Sequence, residues 1–407
     1  MMEHHSVNAP PWARDAANGN TNAAIWLVSN LAPPVHGVSM FNAALLEELE
    51  RRGEPVRVFR IGSSRARSIG RFSIVKALRD GGLIARFLAA SLWRRLRGGG
   101  RAVLYFTPSQ GGPAVFRDAV VATIGRACFD RVIGHVHGCS WLGRYREGGL
   151  AARAMRHALA SCDQVICLGD RFTRAMRAAT GIDCVSVDNG APATQGGKAR
   201  SWPSNGAPLT LLYLGSFIMS KGLWAAAEAA VLLHGRGRSV RLQCAGSWRK
   251  EAERVGFERH FQEAMKRGVI EFLGPVDELG RAKALLEANI LVLPTRYPHE
   301  GQPLVLIEAM SAGVVPITTD QGGIPDLMSF AGAERLVASS HDSGHGVART
   351  VEALANDPDV YEALSWLCLE RSRTHLTMER CVTDILTVIR GDADPQMEGW
   401  ESKQAAV

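Results

Sequence analysis

The chain has 407 residues, which is too long for one ordinary hydrophobic core and is the length of two domains of about 190 residues each. Its formal net charge is +7, but no nucleic-acid-binding motif accompanies the basic residues, so nucleic acid is not expected as a partner. Residues Met1 to Asn20 lack the apolar core of a signal peptide, and no apolar run reaches about 18 residues, which predicts a cytoplasmic protein.

The first elements of the chain form a series of strand, loop, helix and strand. Hydrophobic patterning predicts a buried strand at 23–28, a loop at 33–38, an amphipathic helix at 41–49 and a second strand at 56–59. This order is typical of a nucleotide-binding α/β unit. The loop contains His36 and Gly37 but no Gly-x-Gly-x-x-Gly, which argues against an NAD-linked oxidoreductase.

A basic segment follows between Arg65 and Arg101. It contains ten Lys or Arg residues and one acid, Asp80, and apolar side chains interleave with them. Such a segment can lie on an anionic membrane surface, with its apolar side inward and its basic side at the headgroups. An ordinary helix packed on its own domain explains the pattern equally well. The first alternative predicts peripheral association with the inner face of the cell membrane.

Two histidines, His135 and His137, have the spacing that places both side chains on one face of a strand predicted at 132–138. No metal ligation is expected here, because no third ligand with supporting spacing lies nearby and the eight cysteines contain no Cys-x-x-Cys. Cysteines scattered in this way indicate reduced thiols.

The middle of the chain contains a segment without periodicity, 191–208, that is rich in Pro, Gly, Ser and Asn. It is interpreted as the linker between an N-terminal domain, 21–190, and a C-terminal domain, 209–375; residues 1–20 are predicted to be a disordered tail. Two parallel-sheet domains around a linker form a cleft, and α/β sheets bind ligands beyond the carboxyl ends of their strands.

The C-terminal domain begins with a short apolar strand at 211–215 that ends in Gly215. Ser216 comes next, and Lys221 then opens a helical stretch through 225–233. A lysine is informative in a chain with only seven lysines among its 47 basic residues. Its ammonium can neutralise charge on a departing diphosphate, although a solvated lysine at a helix start is the alternative.

A second series of strand, loop and helix begins with the buried strand at 290–294. Pro303 fits the first turn of a helix whose apolar face includes Leu304, which places Glu300 in the loop and Glu308 on the helix. A helix start exposes unpaired N–H groups, so the loop at 301–302 can receive a phosphate.

Glu300 and Glu308 are not interpreted as a hydrolase pair. On one continuous helix they would be about 12 Å apart, which exceeds the roughly 5 to 9.5 Å between paired glycosidase carboxylates. Each is predicted to accept hydrogen bonds from a different hydroxyl-bearing part of one long ligand, with a sugar at one end and a ribose at the other. The alternative is a solvated loop acid and a surface helix residue.

The stretch from Glu300 through Glu308 to Asp326 resembles the donor-site signature of the family 4 retaining glycosyltransferases, with Glu-x7-Glu as its core. The resemblance implies that Glu300 contacts hydroxyls of the transferred sugar and that Glu308 contacts the ribose of the nucleotide. The backbone amides that it assigns to the diphosphate are those of Gly301, Gln302 and Leu304.

A second stretch, from Gly215 to Lys221, resembles the phosphate-binding Gly-Arg-x4-Lys-Gly element of the same family. Ser216 stands where the family carries Arg, so one of the two cations expected on the phosphates is missing. Arg249 and Arg296 are candidates to replace it.

In the N-terminal half, the resemblance implies that His36 and Gly37 face the acceptor. It also implies that His137 lies at a strand end between acceptor and donor sugar, which leaves His135 a structural role.

The family resemblance implies an α/β GT-B architecture of two Rossmann-like, doubly wound parallel-sheet domains that face a central cleft. Residues 376–407 would supply a helix crossing back to the first domain, followed by a tail. The implied activity is transfer of a hexose from a nucleoside diphosphate sugar to a glycan or lipid-linked acceptor with retention of configuration, in bacterial surface or exopolysaccharide assembly. No metal or other cofactor is expected. Alternatives are a nucleotide-sugar epimerase of the same architecture and a non-catalytic nucleotide-sugar-binding scaffold, which Ser216 makes credible.

Overall fold

The computed structural model of the chain describes residues 23–32, 36–61, 74–203, 207–338 and 344–391. The predicted tail 1–20, loop residues 33–35, the first part of the basic segment up to residue 73 and all residues after 391 lie outside these ranges.

Six parallel strands form the first sheet, in the order β2-β1-β3-β4-β5-β6. They are β1 (Ala24–Asn30), β2 (Val56–Ile61), β3 (Ala102–Phe106), β4 (Arg131–Val136), β5 (Gln164–Cys167) and β6 (Cys184–Ser186). The chain leaves β1 toward β2 on one side and returns to β3 on the other. The strand order therefore reverses between β1 and β3, which opens a crevice beyond their carboxyl ends.

Helices cover both faces of the first sheet. They are α1 (Gly37–Arg51), α2 (Ile74–Leu96), α3 (Ala114–Cys128), α4 (Trp141–Arg146), α5 (Leu150–Ala160) and α6 (Asp170–Thr180). Ile25 and Leu27 pack in one core cluster, whereas Trp26 and Val28 pack in another on the opposite face. Because both faces are covered, β3 in the middle of the sheet is a continuous apolar run, and every one of its residues is buried.

The second sheet also has six parallel strands, in the order β12-β11-β10-β7-β8-β9. Its strands are β7 (Leu209–Leu214), β8 (Val240–Ala245), β9 (Ile270–Gly274), β10 (Ile290–Leu293), β11 (Val315–Thr319) and β12 (Val337–Ala338). Here the order reverses between β7 and β10. The predicted fold class, two doubly wound parallel α/β sheets, is confirmed.

The helices of the second half are α7 (Leu223–Gly235), α8 (Glu251–His260), α9 (Gln262–Lys266), α10 (Glu278–Glu287), α11 (Leu304–Ser311), α12 (Ile324–Leu327), α13 (Gly344–Asn356) and α14 (Pro358–Thr374). Two 3-10 turns, Met219–Lys221 and Ala333–Leu336, complete it. No helix in the described ranges has both the length and the apolarity that crossing a bilayer requires.

The two halves are joined by two segments that run side by side. Ala191 donates its N–H to the carbonyl of Leu376 at 3.1 Å and forms a parallel bridge with Thr377. A β-carbon on Gly190 would come within 2.4 Å of the Thr377 carbonyl oxygen, so this close approach requires glycine. The last helix, α15 (Met378–Arg390), then packs Val382 and other apolar side chains into the core of the first half.

The described part of the predicted linker is hydrogen-bonded to the rest of the protein. Arg200 donates to the Leu286 carbonyl at 2.7 Å and to the Ala312 carbonyl at 3.2 Å, and Thr194 Oγ1 contacts Ser311 Oγ at 2.8 Å. These bonds attach the segment to the surface of the second half.

Candidate active site

The residues singled out by sequence gather where the two strand-order reversals face each other. Ser216 follows β7 and Glu300 follows β10, at the reversal of the second sheet. His36 follows β1, at the reversal of the first sheet, and His137 follows β4 nearby. Crevices of this kind are where open α/β sheets bind ligands.

Lys221 and Glu300 form an ion pair at the centre of this region. Lys221 Nζ lies 3.2 Å from Glu300 Oε1, and Thr295 Oγ1 donates to Glu300 Oε2 at 3.0 Å. The Glu300 side chain is 8% exposed, so its charge needs such partners. Lys221 Nζ also lies 5.0 Å from the centroid of the Tyr297 ring. The sequence placed Lys221 and Glu300 on different parts of the donor, and their direct contact was not predicted.

The position of Lys221 depends on a close approach at Gly222. Gly222 has φ +87°, and a β-carbon there would lie 2.3 Å from the Pro294 carbonyl oxygen at the end of β10. The buried Tyr213 hydroxyl contacts the carbonyl oxygens of Ser216 at 3.2 Å and Lys221 at 3.3 Å. Gly215 has room around its α-carbon, since a β-carbon there would meet nothing within 4 Å. The close approach at Gly222 and the two hydrogen bonds of the Tyr213 hydroxyl therefore fix the backbone of the loop after β7.

The loop before α11 holds the two halves together. Gln302 Oε1 accepts from the Asn189 amide at 2.8 Å, its Nε2 donates to Asp188 Oδ1 at 2.6 Å, and its carbonyl accepts from Asn189 Nδ2 at 2.7 Å. The Gln302 side chain is therefore committed, and only its backbone N–H remains for a phosphate. Pro303 precedes the helix instead of lying in its first turn, because its ψ of 122° is extended and α11 begins at Leu304.

Glu308 has a partner that the sequence analysis did not identify. Arg281 Nη1, on α10, lies 2.8 Å from Glu308 Oε1 and 2.9 Å from Oε2. The Glu308 side chain is 13% exposed. Its carboxylate is oriented and neutralised before any ligand arrives, so a ribose hydroxyl would share it with Arg281.

His135 in β4 and His137 directly after it lie on one face, as their spacing predicts. Their rings stack with centroids 4.0 Å apart, and the buried His135 ring contacts the Tyr105 hydroxyl at 2.5 Å through Nδ1. Burial lowers the pKa of His137 to about 3, and burial with the neighbouring His137 lowers the pKa of His135. Both are therefore neutral at physiological pH. The buried Nε2 of His137 has no hydrogen-bond partner among the described residues.

His36 is the N-cap of α1. Its Nδ1 accepts from the Ser39 amide at 3.2 Å, and Ser39 Oγ accepts from the His36 amide at 3.0 Å. Because Nδ1 is the acceptor, the proton of the neutral ring is on Nε2. Burial, and then the charge of Arg249, lower the pKa of His36. A β-carbon on Gly37 would meet nothing within 4 Å, so Gly37 leaves open space beside His36.

Arg249 is the better placed of the two candidates for the missing cation. Its charge acts on His36 and also on Tyr297, whose pKa is raised by burial and by Glu300 and lowered by Arg249. Arg249 thus lies within electrostatic reach of residues on both sides of the cleft. Arg296 has an exposed side chain, and its amide donates to the Ser220 carbonyl at 2.7 Å.

A cavity of about 360 Å³ lies between the two halves. The first half contributes residues from the loops after β1 and β3 and from α4, and the second half contributes Tyr297 and His299. His299 Nδ1 lies 2.7 Å from Ser140 Oγ, which donates to Gln110 Oε1 at 2.6 Å. Tyr297 and His299 were not predicted, although they lie in the loop directly before Glu300.

Within the described ranges, no three His, Cys, Asp or Glu residues are grouped so that they could hold a metal ion.

Residues 208–357 match the family model described as Glycosyl transferases group 1. Two relatives agree with that match. WcaL of Salmonella typhimurium, named for colanic acid biosynthesis, is 29% identical over 174 residues, which is 40% of this chain and 41% of that protein. The phosphatidyl-myo-inositol mannosyltransferase of Mycolicibacterium smegmatis is 26% identical over 196 residues, which is 47% of this chain and 48% of that protein. The chain thus matches less than half the length of each.

Solved structures match almost the whole fold. The sucrose-phosphate synthase of Thermosynechococcus elongatus has a TM-score of 0.69 at 18% identity and covers 91% of this chain and 99% of its own. HepE of Anabaena, in complex with UDP and glucose, has a TM-score of 0.66 at 13% identity and covers 90% of this chain and 100% of its own. Residues 208–357 therefore match the glycosyl transferases group 1 family, within a chain that has the GT-B fold.

Proposed function

We propose that the chain transfers a sugar from a nucleoside diphosphate sugar to a hydroxyl of a glycan or lipid-linked acceptor, with retention of configuration, in the assembly of a bacterial surface or exported polysaccharide. The observation that carries this proposal is the Lys221–Glu300 pair, 3.2 Å apart, at the reversal of the second sheet and beside the cavity at the reversal of the first. A donor held by one half would then face an acceptor held by the other.

Each residue has a defined task in the proposed reaction. Glu300 keeps free lone pairs beside those used by Lys221 and Thr295, with which it orients hydroxyls of the transferred sugar. Lys221 and the amides of Gly301, Gln302 and Leu304 stabilise the charge of the leaving diphosphate, which requires donors that are already in place. Glu308, held by Arg281, accepts from the ribose.

Arg249 supplies the positive charge that is missing because Ser216 stands where the resembled family carries an arginine. It has no described ion-pair partner. Its charge acts to lower the pKa of Tyr297, whose ring centroid lies 5.0 Å from Lys221 Nζ. Two cations near one diphosphate neutralise it better than one, because the developing negative charge is spread over several oxygens.

The chemical step needs no nucleophile from the protein. The bond from the anomeric carbon to the phosphate oxygen breaks with its electron pair on the diphosphate, and the acceptor oxygen attacks from the same face. The acceptor proton passes to the departing phosphate. His137 lies at the cavity wall with a neutral ring and contributes hydrogen bonding at the junction of the two sugars.

The membrane alternative for the basic segment is part of the proposal. The described part of that segment exposes Leu92, Trp93 and Leu96 on α2, and the neighbouring α3 exposes Phe116 and Val120. We define these five side chains as the apolar patch. The exposed Arg95 lies on the same helix as Leu92, Trp93 and Leu96, and the exposed Arg97 directly follows that helix. With these arginines beside it, the patch fits an anionic bilayer on which a lipid-linked acceptor is presented.

A binding panel followed by product analysis tests this function. Thermal unfolding with UDP-, GDP- and ADP-sugars should show one donor that raises the melting temperature, because a ligand of the native state stabilises it. The product made from that donor should keep the donor's anomeric configuration by NMR. Inversion would refute retention, isomerisation of the sugar by the chain alone would favour the epimerase, and binding without turnover of any acceptor would favour the scaffold.

A further inference from the structure

The wall of the cavity contributed by the first half is rich in hydrogen-bond donors. Arg144, at the end of α4, lies against the backbone of Gly111, where a β-carbon would come within 2.8 Å of Arg144 Nη1. Gly111 has φ +153°, which also favours glycine. The guanidinium is thereby held at the cavity wall, and Arg144 is one of the residues that line it.

Two neutral donors accompany Arg144. Ser109 Oγ accepts from Arg117 Nη2 at 3.1 Å, which leaves its own proton free to donate. Gln110 Oε1 accepts from Ser140 Oγ at 2.6 Å, and no described residue accepts from Gln110 Nε2. Both Ser109 and Gln110 line the cavity with Arg144.

No acidic residue in the cavity lining neutralises the charge of Arg144. None of the residues that line the cavity, all within the described ranges, is Asp or Glu. Asp118 accepts from the Ser109 amide at 2.7 Å, but its other oxygen is committed to Arg117 at 2.6 Å in a buried pair. No described carboxylate lies within ion-pair distance of Arg144, whereas Glu300 across the cleft is paired with Lys221.

The positive charge of Arg144 acts on a residue across the cavity. Burial and then Arg144 lower the pKa of His299, which forms part of the opposite wall. A cavity wall with a guanidinium that has no described ion-pair partner favours an anionic ligand over a sugar that carries only hydroxyls.

We propose that the acceptor carries an oxyanion, a carboxylate or a phosphate, and that Arg144 with Ser109 and Gln110 binds it. A guanidinium forms paired hydrogen bonds with the two oxygens of either group, which fixes orientation as well as position. The anion would hold the acceptor so that a neighbouring hydroxyl points toward the donor site. This inference rests on the proposed function and specifies the acceptor class of the same site.

Three probes that differ at one carbon test the proposal. They are a methyl glucoside, the matching methyl glucuronide, and the methyl glucoside phosphorylated on its primary hydroxyl, each titrated into the full chain by calorimetry. At least one acidic probe should bind about tenfold or more tightly than the neutral one, as expected for hydrogen bonds to a charged group. Comparing the two acidic probes distinguishes carboxylate from phosphate.

Matched variants identify the residue responsible. Arg144→Gln should remove the preference for acidic probes and Arg144→Lys should restore part of it. Arg146→Gln, on the same helix but not at the cavity, makes the same change of charge and should keep the preference within about twofold of the original.

Equal affinity for all three probes, no binding of either acidic probe, or a preference that survives Arg144→Gln would each overturn the inference. These outcomes differ from failure of the proposed function, which would appear as the absence of any nucleotide-sugar binding in the thermal panel. A chain that binds a nucleotide sugar and ignores the acidic probes would refute the acceptor class alone.

Discussion

Gly301 lies against the carbonyl oxygen of His137, so close that a β-carbon on Gly301 would be 2.4 Å from it. Gly301 belongs to the second half and His137 to the first, and the Cys139 amide donates to the Glu300 carbonyl at 3.3 Å beside them. The relative position of the two halves at the site therefore depends on a residue without a side chain.

Gly301→Ala should separate the halves by a fraction of an ångström to about 1 Å. We expect a loss of about 1–3 kcal/mol of stability, as for other overpacked contacts, and a fall in turnover of about a hundredfold, because misplacement on this scale is enough to disrupt alignment. Differential scanning calorimetry and transfer assays measure both. Gly256→Ala is the control, since a β-carbon there meets nothing within 4 Å. Unchanged turnover in Gly301→Ala would show that the contact does not set the geometry.

Lys221→Ala should lower kcat by about a hundredfold with a smaller effect on acceptor KM, because the ammonium is assigned to charge that develops in the transition state. Lys283→Ala removes an exposed lysine whose nearest acid, Glu287, is 3.8 Å away, and should leave kcat unchanged. If Lys221→Ala raised only the acceptor KM, Lys221 would belong to acceptor binding instead.

Arg249→Gln should raise the pKa of His36, because it removes a positive charge that disfavours the imidazolium. Burial is the larger cause of the shift, so the pKa should remain below 6.5. The same variant should weaken binding of the nucleoside diphosphate identified in the thermal panel by about tenfold but leave the matching nucleoside unaffected, since only the diphosphate is charged. NMR titration of His36 and calorimetry provide the two measurements.

The exposed Arg259 serves as the matched control for Arg249. Arg259→Gln should change neither the His36 titration nor the affinity for the nucleoside diphosphate. Equal loss of nucleoside diphosphate and nucleoside binding in Arg249→Gln would argue against a phosphate contact.

The stability of the fold should fall in mild acid, partly because of His137. Its pKa is about 3 in the folded chain, whereas a histidine in an unfolded chain has its ordinary pKa of 6.5, so below pH 6.5 the unfolded chain takes up a proton that the folded chain does not. This contribution is present above pH 6.5 and is lost progressively as the pH falls toward 3. One such proton costs up to about 1.4 kcal/mol per pH unit.

His137→Asn should therefore flatten the dependence of the unfolding free energy on pH, as measured by denaturant titration at several pH values. His234→Asn, at an exposed histidine, should leave the slope as it is. An identical slope in His137→Asn would mean that His137 is not held neutral by the fold.

Leu96→Glu should abolish flotation of the chain with anionic vesicles at low salt, because it places a charge at the most exposed member of the apolar patch, which is 85% exposed. Leu279→Glu makes the same change at a leucine that is 81% exposed but lies in the second half. It should leave flotation intact. If the unmodified chain does not float, the membrane proposal fails.

The sequence was sufficient to predict β1, β2, β4, β7 and β10, although no prediction covered β3 in the middle of the first sheet. Runs such as those in β1, β7 and β10 are continuous and apolar because they are covered on both faces, and that signal is local. The helix at 41–49 was recognised for a similar reason, although its start at Gly37 depends on capping by His36.

The contacts within the site were not predictable in this way. Lys221 and Glu300 are 79 residues apart in the chain, and Arg281 and Glu308 are 27 apart. Such pairs exist because particular loops meet at a reversal of strand order, which hydrophobic periodicity does not encode. Arg144 is a further case: one arginine among many in the sequence, distinguished only by its place against Gly111 and the lack of a described acid beside it.

The paired segments at Ala191 and Leu376 have a mechanical consequence. Both passages of the chain between its halves run through this one point, where they are hydrogen-bonded at 3.1 Å. Sliding one half past the other would break that bond, whereas rotation about it would not. Opening of the cleft would then be a rotation about this point, which breaks the bond from the Cys139 amide to the Glu300 carbonyl, and the gap would be widest at the edge farthest from Ala191.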